Sequence, residues 1–321
     1  MGIGVRHKIV ARTVDLLAAT TFLLAVPFLY IASSHRSKLR IARRLQDRMS
    51  VTVLRNNFYE PSIGELERKP RVPRELPGID LNLAEQVDTL KRFTFADEIM
   101  ALHGRKIGGR SIALPNRYFD EGDAEALYSF VRVFKPKTVI EVGAGHSTTF
   151  IQCAARANAN EDPSYSLRHI CFEPYRNPWL ETMGPVIKRQ RVEEADLSLF
   201  RALQPNDILL IDSSHVLRAQ GDVECEILRI VPSVAPGVLV HFHDIFTPRD
   251  YPEDWLHERR VFWNEQYVVE AFLSFNSAFE VVLALNYLHH LKRPELYRSF
   301  PLLEATPSAD PGSLWIRRRP L

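Results

Sequence analysis

Four short, almost wholly apolar runs each give way to a stretch of helical spacing, and that alternation leaves few folds open to the chain. They lie at residues 138–142 (TVIEV), 169–173 (HICFE), 207–212 (DILLID) and 237–244 (GVLVHFHD). Runs without polar alternation belong to strands covered on both faces, and strands each followed by a helix pair in parallel between two helical layers. A possible further strand at 186–188, then FEVVLALN at 279–286 and SLWIRR at 313–318, bring the expected sheet to seven strands. The last two lack a clear intervening helix and are expected as an antiparallel hairpin. Helical spacing at Leu83, Val87, Leu90 and Phe93, and again over residues 123–134, places helices before the first strand.

The amino terminus obeys a different rule. Residues 16–32 form an uncharged stretch of 17 residues, with Arg12 before it and Arg36, Lys38, Arg40, Arg43 and Arg44 after it. That is close to the length a helix needs to cross a bilayer, and the heavier basic flank on the carboxyl side places the chain after residue 36 in the cytoplasm. A cleaved signal peptide ending near Ala32, or an amphipathic or core helix bent at Pro27, are the competing readings. Residues 1–55 carry ten Lys/Arg against Asp15 and Asp47, a net of +8, which leaves −6 for the remainder. An acidic main body disfavours nucleic acid as a partner, whereas the basic head suits a membrane surface.

Residues 36–80 read as a basic helix and a proline-rich linker, so the expected division is 1–35, 36–80 and a catalytic domain over 81–321. The content of 45% hydrophobic and 25% charged residues excludes a disordered chain. Three cysteines, Cys153, Cys171 and Cys225, fit neither a disulfide framework nor a zinc knuckle.

In an open sheet of this kind ligands bind beyond the carboxyl ends of the strands, where strand order reverses. The first strand runs into Glu141-Val142-Gly143-Ala144-Gly145-His146-Ser147-Thr148, a glycine bend that lets a ligand approach backbone N–H groups and a helix N-terminus. Thr148 stands where a dinucleotide fingerprint has its third glycine. Glu141 would repel a pyrophosphate and attract a cation, so a sulfonium such as that of S-adenosylmethionine suits the bend better than NAD or FAD. Glu173, at the end of the second strand, is placed to accept ribose hydroxyls. Asp212-Ser213-Ser214-His215 and His241-Phe242-His243-Asp244 bring two carboxylates and three imidazoles to neighbouring strand ends. Two aspartates suit a hard divalent ion, and a histidine-rich set suits iron, manganese or zinc. Alternatively His215 or His243, oriented by an aspartate, takes a proton from an acceptor hydroxyl.

Taken together, IEVGAGHSTTF, CFEPY, NDILLIDSSH, PGVLVHFHDIF and WNEQY resemble the motifs of class I S-adenosylmethionine-dependent methyltransferases over residues 116–286. They are similar to a bacterial subgroup distantly related to catechol O-methyltransferase-like enzymes. The resemblance implies a Rossmann-like fold with S-adenosylmethionine bound by Glu141, Gly143, Ala144, Gly145, His146, Ser147, Glu173 and Asp212. It implies a magnesium ion on Asp212 and Asp244, while the residues themselves put the catalytic candidates at His215, the first choice, His243 and Asp244. Ile245 departs from that pattern, because the metal enzymes commonly carry an amide or acid there. The expected activity is O-methylation of a small or lipid-linked acceptor by a membrane-anchored, cytoplasmic enzyme. A metal-dependent oxygenase or hydrolase and a non-catalytic tethered binding module are the alternatives.

Overall fold

The computed structural model describes residues 3–32, 40–49, 68–107, 110–112, 116, 118–257, 261, 263–306 and 308–320. The chain divides into two compact units, Met1–Arg68 and Lys69–Leu321.

In the first unit, helix α1 covers Ile3–Ala32 and continues through Pro27. Its part Arg12–Tyr30 is long and apolar enough to cross a membrane. The hydroxyls of Thr20 and Thr21 donate to the carbonyls of Leu16 and Leu17 at 2.8 Å, so they present no unpaired donor along the apolar run. Helix α2, Arg40–Met49, carries Ile41, Leu45 and Met49 exposed at a spacing of four. The expected boundary at 35/36, the alternative cleavage site after Ala32 and the linker residues 50–67 lie outside the described residues.

The second unit is built on a seven-stranded sheet. Its strands are β1 Thr138–Val142, β2 Arg168–Phe172, β3 Val186–Lys188, β4 Ile208–Ile211, β5 Leu239–Phe242, β6 Phe279–Ala284 and β7 Leu314–Arg318. They are ordered β3-β2-β1-β4-β5-β7-β6, parallel except for β7, which runs antiparallel to both neighbours. The late antiparallel pair is joined by three short helices, Leu285–Leu291, Arg293–Ser299 and Pro301–Ala305, instead of a tight turn. Proline at the start of the second and third of these helices restarts the chain after each break, a signal too local to show as periodicity.

Strand register decides which polar groups enter the core. Cys171, Glu141, Leu210, His241 and Trp315 pair in sequence across five strands and so share one face. That face packs beneath helix α3, Asp123–Phe134, where Phe130 stacks on Trp315 with ring centroids 3.8 Å apart. The opposite face holds Ile140, Leu209, Val240 and Phe242 in a second apolar cluster. Residues 69–80 belong to this unit: Arg71 pairs with Asp310 and lies over the Phe246 ring, and Arg74 binds Glu270. The strand order reverses between β1 and β4, so the carboxyl ends of those two strands open a cleft.

Candidate active site

The bend after β1 is fixed by one glycine. Gly143 has φ +78°, and a Cβ there would come within 1.8 Å of the Asp212 carbonyl oxygen, so no other residue lets β1 and β4 close at this point. Around Gly145, which begins helix α4 (His146–Glu161), a Cβ would meet nothing within 4 Å, leaving open space before the helix N-terminus. A cleft of about 250 Å³ opens here, lined by Gly143, Glu173, Tyr175, Asp212, Arg218 and Asp222. Glu173 accepts hydrogen bonds from the N–H of Tyr175 at 2.8 Å and of Ala144 at 3.4 Å, which hold its carboxylate at the rim.

Glu141 corrects the sequence expectation. Its side chain is fully buried on the α3 face and does not line the cleft. Ser147 donates to one carboxylate oxygen at 2.5 Å, and Thr148, His169 and Cys171 donate to the other at 2.6, 3.1 and 3.2 Å. Its charge therefore ties the first turn of α4 to β1 and β2. Ser147 serves that network instead of facing the cleft. His146 stacks on Tyr118 and approaches Trp179, also away from the cleft. Of the eight residues expected at the cofactor, Gly143, Glu173 and Asp212 line the cleft, and Ala144 touches it through the bond to Glu173.

A second polar centre sits at the ends of β4 and β5. One ligand-capable atom from each of Asp212, His215 and Asp244 falls within 4.8 Å of the others. The His215 Nε2 is 3.3 Å from an Asp212 oxygen and 3.8 Å from an Asp244 oxygen. On its far side, Nδ1 donates to Glu265 at 2.7 Å. His215 and Asp244 both adopt left-handed backbone conformations, φ 59° and 57°, which non-glycine residues hold at a cost of order 1 kcal/mol and which cluster at functional sites.

The surrounding loop is tied down from three directions. The His215 carbonyl accepts from Asn264 and Glu265 at the start of helix α5 (Glu265–Leu273), while Asp222 binds the N–H and hydroxyl of Ser214 and Glu226 binds Ser213. Sequence reading missed Glu265 as a site residue. The signal was WNEQY itself, an acid on the first turn of a helix that burial turns inward.

Charges here are strongly coupled. Burial disfavours an imidazolium at His215, yet the bonds to Asp212 and Glu265 outweigh it and hold its pKa well above the ordinary range. Burial raises Asp212, but the facing His243 and His215 bring its carboxyl below the usual range. His241 is held well below the ordinary histidine range by burial and by neighbouring His243; its ring packs against Trp315 and Phe119. It is a packed core histidine. His243, 4% exposed, stacks on Phe119 and lies 3.7 Å from Asp244. The residue after Asp244, Ile245, is buried in the core and supplies no ligand; His215 provides the third donor from the β4 side.

Asp244 and His243 also line a second cavity, of about 310 Å³, with Tyr118, Phe246 and Trp255 among its walls. Asp212 faces the cleft and Asp244 faces this cavity, so the aspartate–histidine triangle stands between the two.

Residues 140–245 match a protein family described as Methyltransferase domain. A protein of Archaeoglobus fulgidus, named only as an uncharacterized protein, is 27% identical over 168 residues, which span 47% of this chain and 74% of that relative.

Proposed function

From a chain that carries a class I S-adenosylmethionine-dependent methyltransferase domain, we propose an O-methyltransferase that uses a divalent metal and works from a membrane anchor on a small or lipid-linked acceptor. The observation that carries the reading is the triangle of Asp212, His215 and Asp244 between the cleft of about 250 Å³ at the strand-order reversal and a second cavity.

The cleft fits the methyl donor. Glu173 offers two oxygens to the ribose hydroxyls, the Gly143 bend lets backbone approach the methionine part, and the cleft lining carries the acidic groups Asp212 and Asp222 for a cationic end. When bound, S-adenosylmethionine supplies an electrophilic sulfonium methyl: the C–S electron pair returns to sulfur as the acceptor oxygen forms its bond to carbon. The chain's part is then chiefly positioning, since an in-line displacement depends on near-attack geometry. The Asp244–His243 pair, at the wall of the second cavity, receives the proton that the hydroxyl loses.

The donor set also fits a metal ion. Two carboxylates and one imidazole suit magnesium, manganese or iron(II), and a carboxylate behind the imidazole, here Glu265, is the usual device for orienting a ligating histidine. Asp212, Asp244 and the Nε2 of His215 would hold the ion, which would lower the pKa of a coordinated hydroxyl.

Helix α1 supports the anchor through the length of its apolar part, and the basic residues beyond it support a cytoplasmic domain and contact with anionic lipid. No nucleic acid is involved in this reading. Calorimetric titration of the detergent-solubilised protein with S-adenosylmethionine, with and without magnesium, tests it. Binding of the cofactor and metal-dependent methyl transfer are expected; correctly folded protein that binds neither overturns it.

A further inference from the structure

We infer that helix α2 is a second membrane element, lying in the plane of an anionic bilayer surface with Ile41, Leu45 and Met49 set between the lipids. The inference rests on the anchor reading above and adds an apolar insertion to the contact of charges given there.

The pattern of the helix separates two faces. At about 3.6 residues per turn, Ile41, Ala42, Leu45 and Met49 share an arc of about 100°, and the other six positions of Arg40–Met49 lie outside it. Those six include Arg40, Arg43, Arg44 and Arg48, with Asp47 as the one acid. Asp47 occupies a position nearly opposite the apolar arc, whereas Arg48 borders it and Arg44 comes next. A short apolar arc beside a cationic face belongs to helices that lie in an interface. The apolar part of α1 differs in kind, because it carries Leu16, Leu17, Phe22 and Leu23 on different sides, as a helix surrounded by lipid does.

The apolar arc of α2 needs a surface. Ile41, Leu45 and Met49 are 75%, 52% and 70% exposed, so the described chain does not bury them. A helix of ten residues is marginal in water on propensity alone and draws its stability from whatever its apolar side packs on.

A bilayer is the surface within reach. Seven residues separate Ala32 from Arg40, and a fully extended chain of that length reaches about 28 Å. With α1 across the membrane, α2 therefore starts within that distance of the end of the spanning helix, on the cytoplasmic side, where anionic lipid is concentrated. Arginine suits this partner, since its guanidinium makes paired hydrogen bonds to phosphate. From a position beside the apolar arc, its long side chain reaches the phosphates while the arc sits below them. A soluble protein with an acidic surface matches the charge but brings no such proximity.

The test is hydrogen–deuterium exchange of the full-length chain in lipid nanodiscs, one copy per disc, made of phosphatidylcholine alone or with about a third phosphatidylglycerol. Amides of residues 44–49, which lie beyond the unbonded first turn, are expected to exchange about tenfold more slowly in the anionic discs. Leu45→Glu should restore fast exchange there, and Arg44→Gln together with Arg48→Gln should remove the difference between the two lipids. Slow exchange that survives Leu45→Glu would mean that charge alone holds the helix, and overturns the insertion. The same exchange in both discs also overturns it, as does protection that appears only with two copies per disc, which makes a second chain the occupant. In these outcomes Arg12–Tyr30 stays protected and the anchor reading stands. If Arg12–Tyr30 itself exchanges freely in the discs, the anchor reading falls and this inference falls with it.

Discussion

Among the described residues, two clusters with metal-ligating spacing offer a carboxylate and an imidazole, and they differ in what surrounds them. Glu141, His169 and Cys171 lie wholly inside the sheet, and four donors meet the Glu141 oxygens at hydrogen-bond distance. Asp212, His215 and Asp244 stand further apart, 3.3 to 3.8 Å along the sides measured from His215, and border open volume on both sides. A carboxylate whose acceptor positions are filled by its own chain holds structure together; one held at a distance from its neighbours beside a cavity has capacity left for a ligand.

Substitutions break or sharpen that contrast. The largest effect is expected from Glu141→Ala, which leaves Ser147, Thr148 and His169 facing a void. Unfolding free energy should fall by about 3–5 kcal/mol, measured by chemical denaturation, while the folded fraction still binds S-adenosylmethionine. Loss of binding with full stability would reverse the roles assigned to the two clusters. Asp212→Asn and Asp244→Asn should show the opposite pattern. Methyl transfer should drop about 10²- to 10³-fold with only a modest fall in melting temperature, because, against the burial that opposes it, the facing His243 and His215 favour the charged form of Asp212 and its neutralisation forfeits that pairing.

Glu265→Gln tests the link behind the imidazole. Metal affinity should weaken about 10- to 100-fold, read by metal titration, while cofactor affinity is retained. The smallest effect concerns His289, a buried imidazole outside both clusters. Burial, with Arg293 and His290 nearby, brings its pKa from 6.5 to about 4. The unfolded chain takes up this proton first as pH falls, so its contribution to stability is intact above 6.5 and is lost progressively toward 4. His289→Gln should flatten the acid limb of the stability profile over that interval and leave activity at neutral pH unchanged.

The strands are legible because their apolar runs are short, unbroken and bounded by acids, and the seven expected strands are the seven in the sheet. Helices between β6 and β7 are not, since three turns of five to seven residues broken by proline carry too little periodicity. In the site, Gly143, Glu173, Asp212, His215 and Asp244 follow from their positions at strand ends. The role of Glu141 does not: a side chain at the second-to-last position of a strand points to one face or the other according to register, and only the pairing with Cys171 and Leu210 shows that this face is the core. Glu265 is hidden for a related reason, since its partner His215 lies 50 residues earlier in the chain.

The sequence by itself determined the doubly wound sheet, the glycine bend, the acids at the strand ends and the apolar amino-terminal helix, because each is written in local spacing and residue type. Tertiary structure decided which of those acids bind the chain to itself and which face open space. That choice depends on strand register and on distant donors such as Ser147 and Glu265, and short-range pattern carries no information about either.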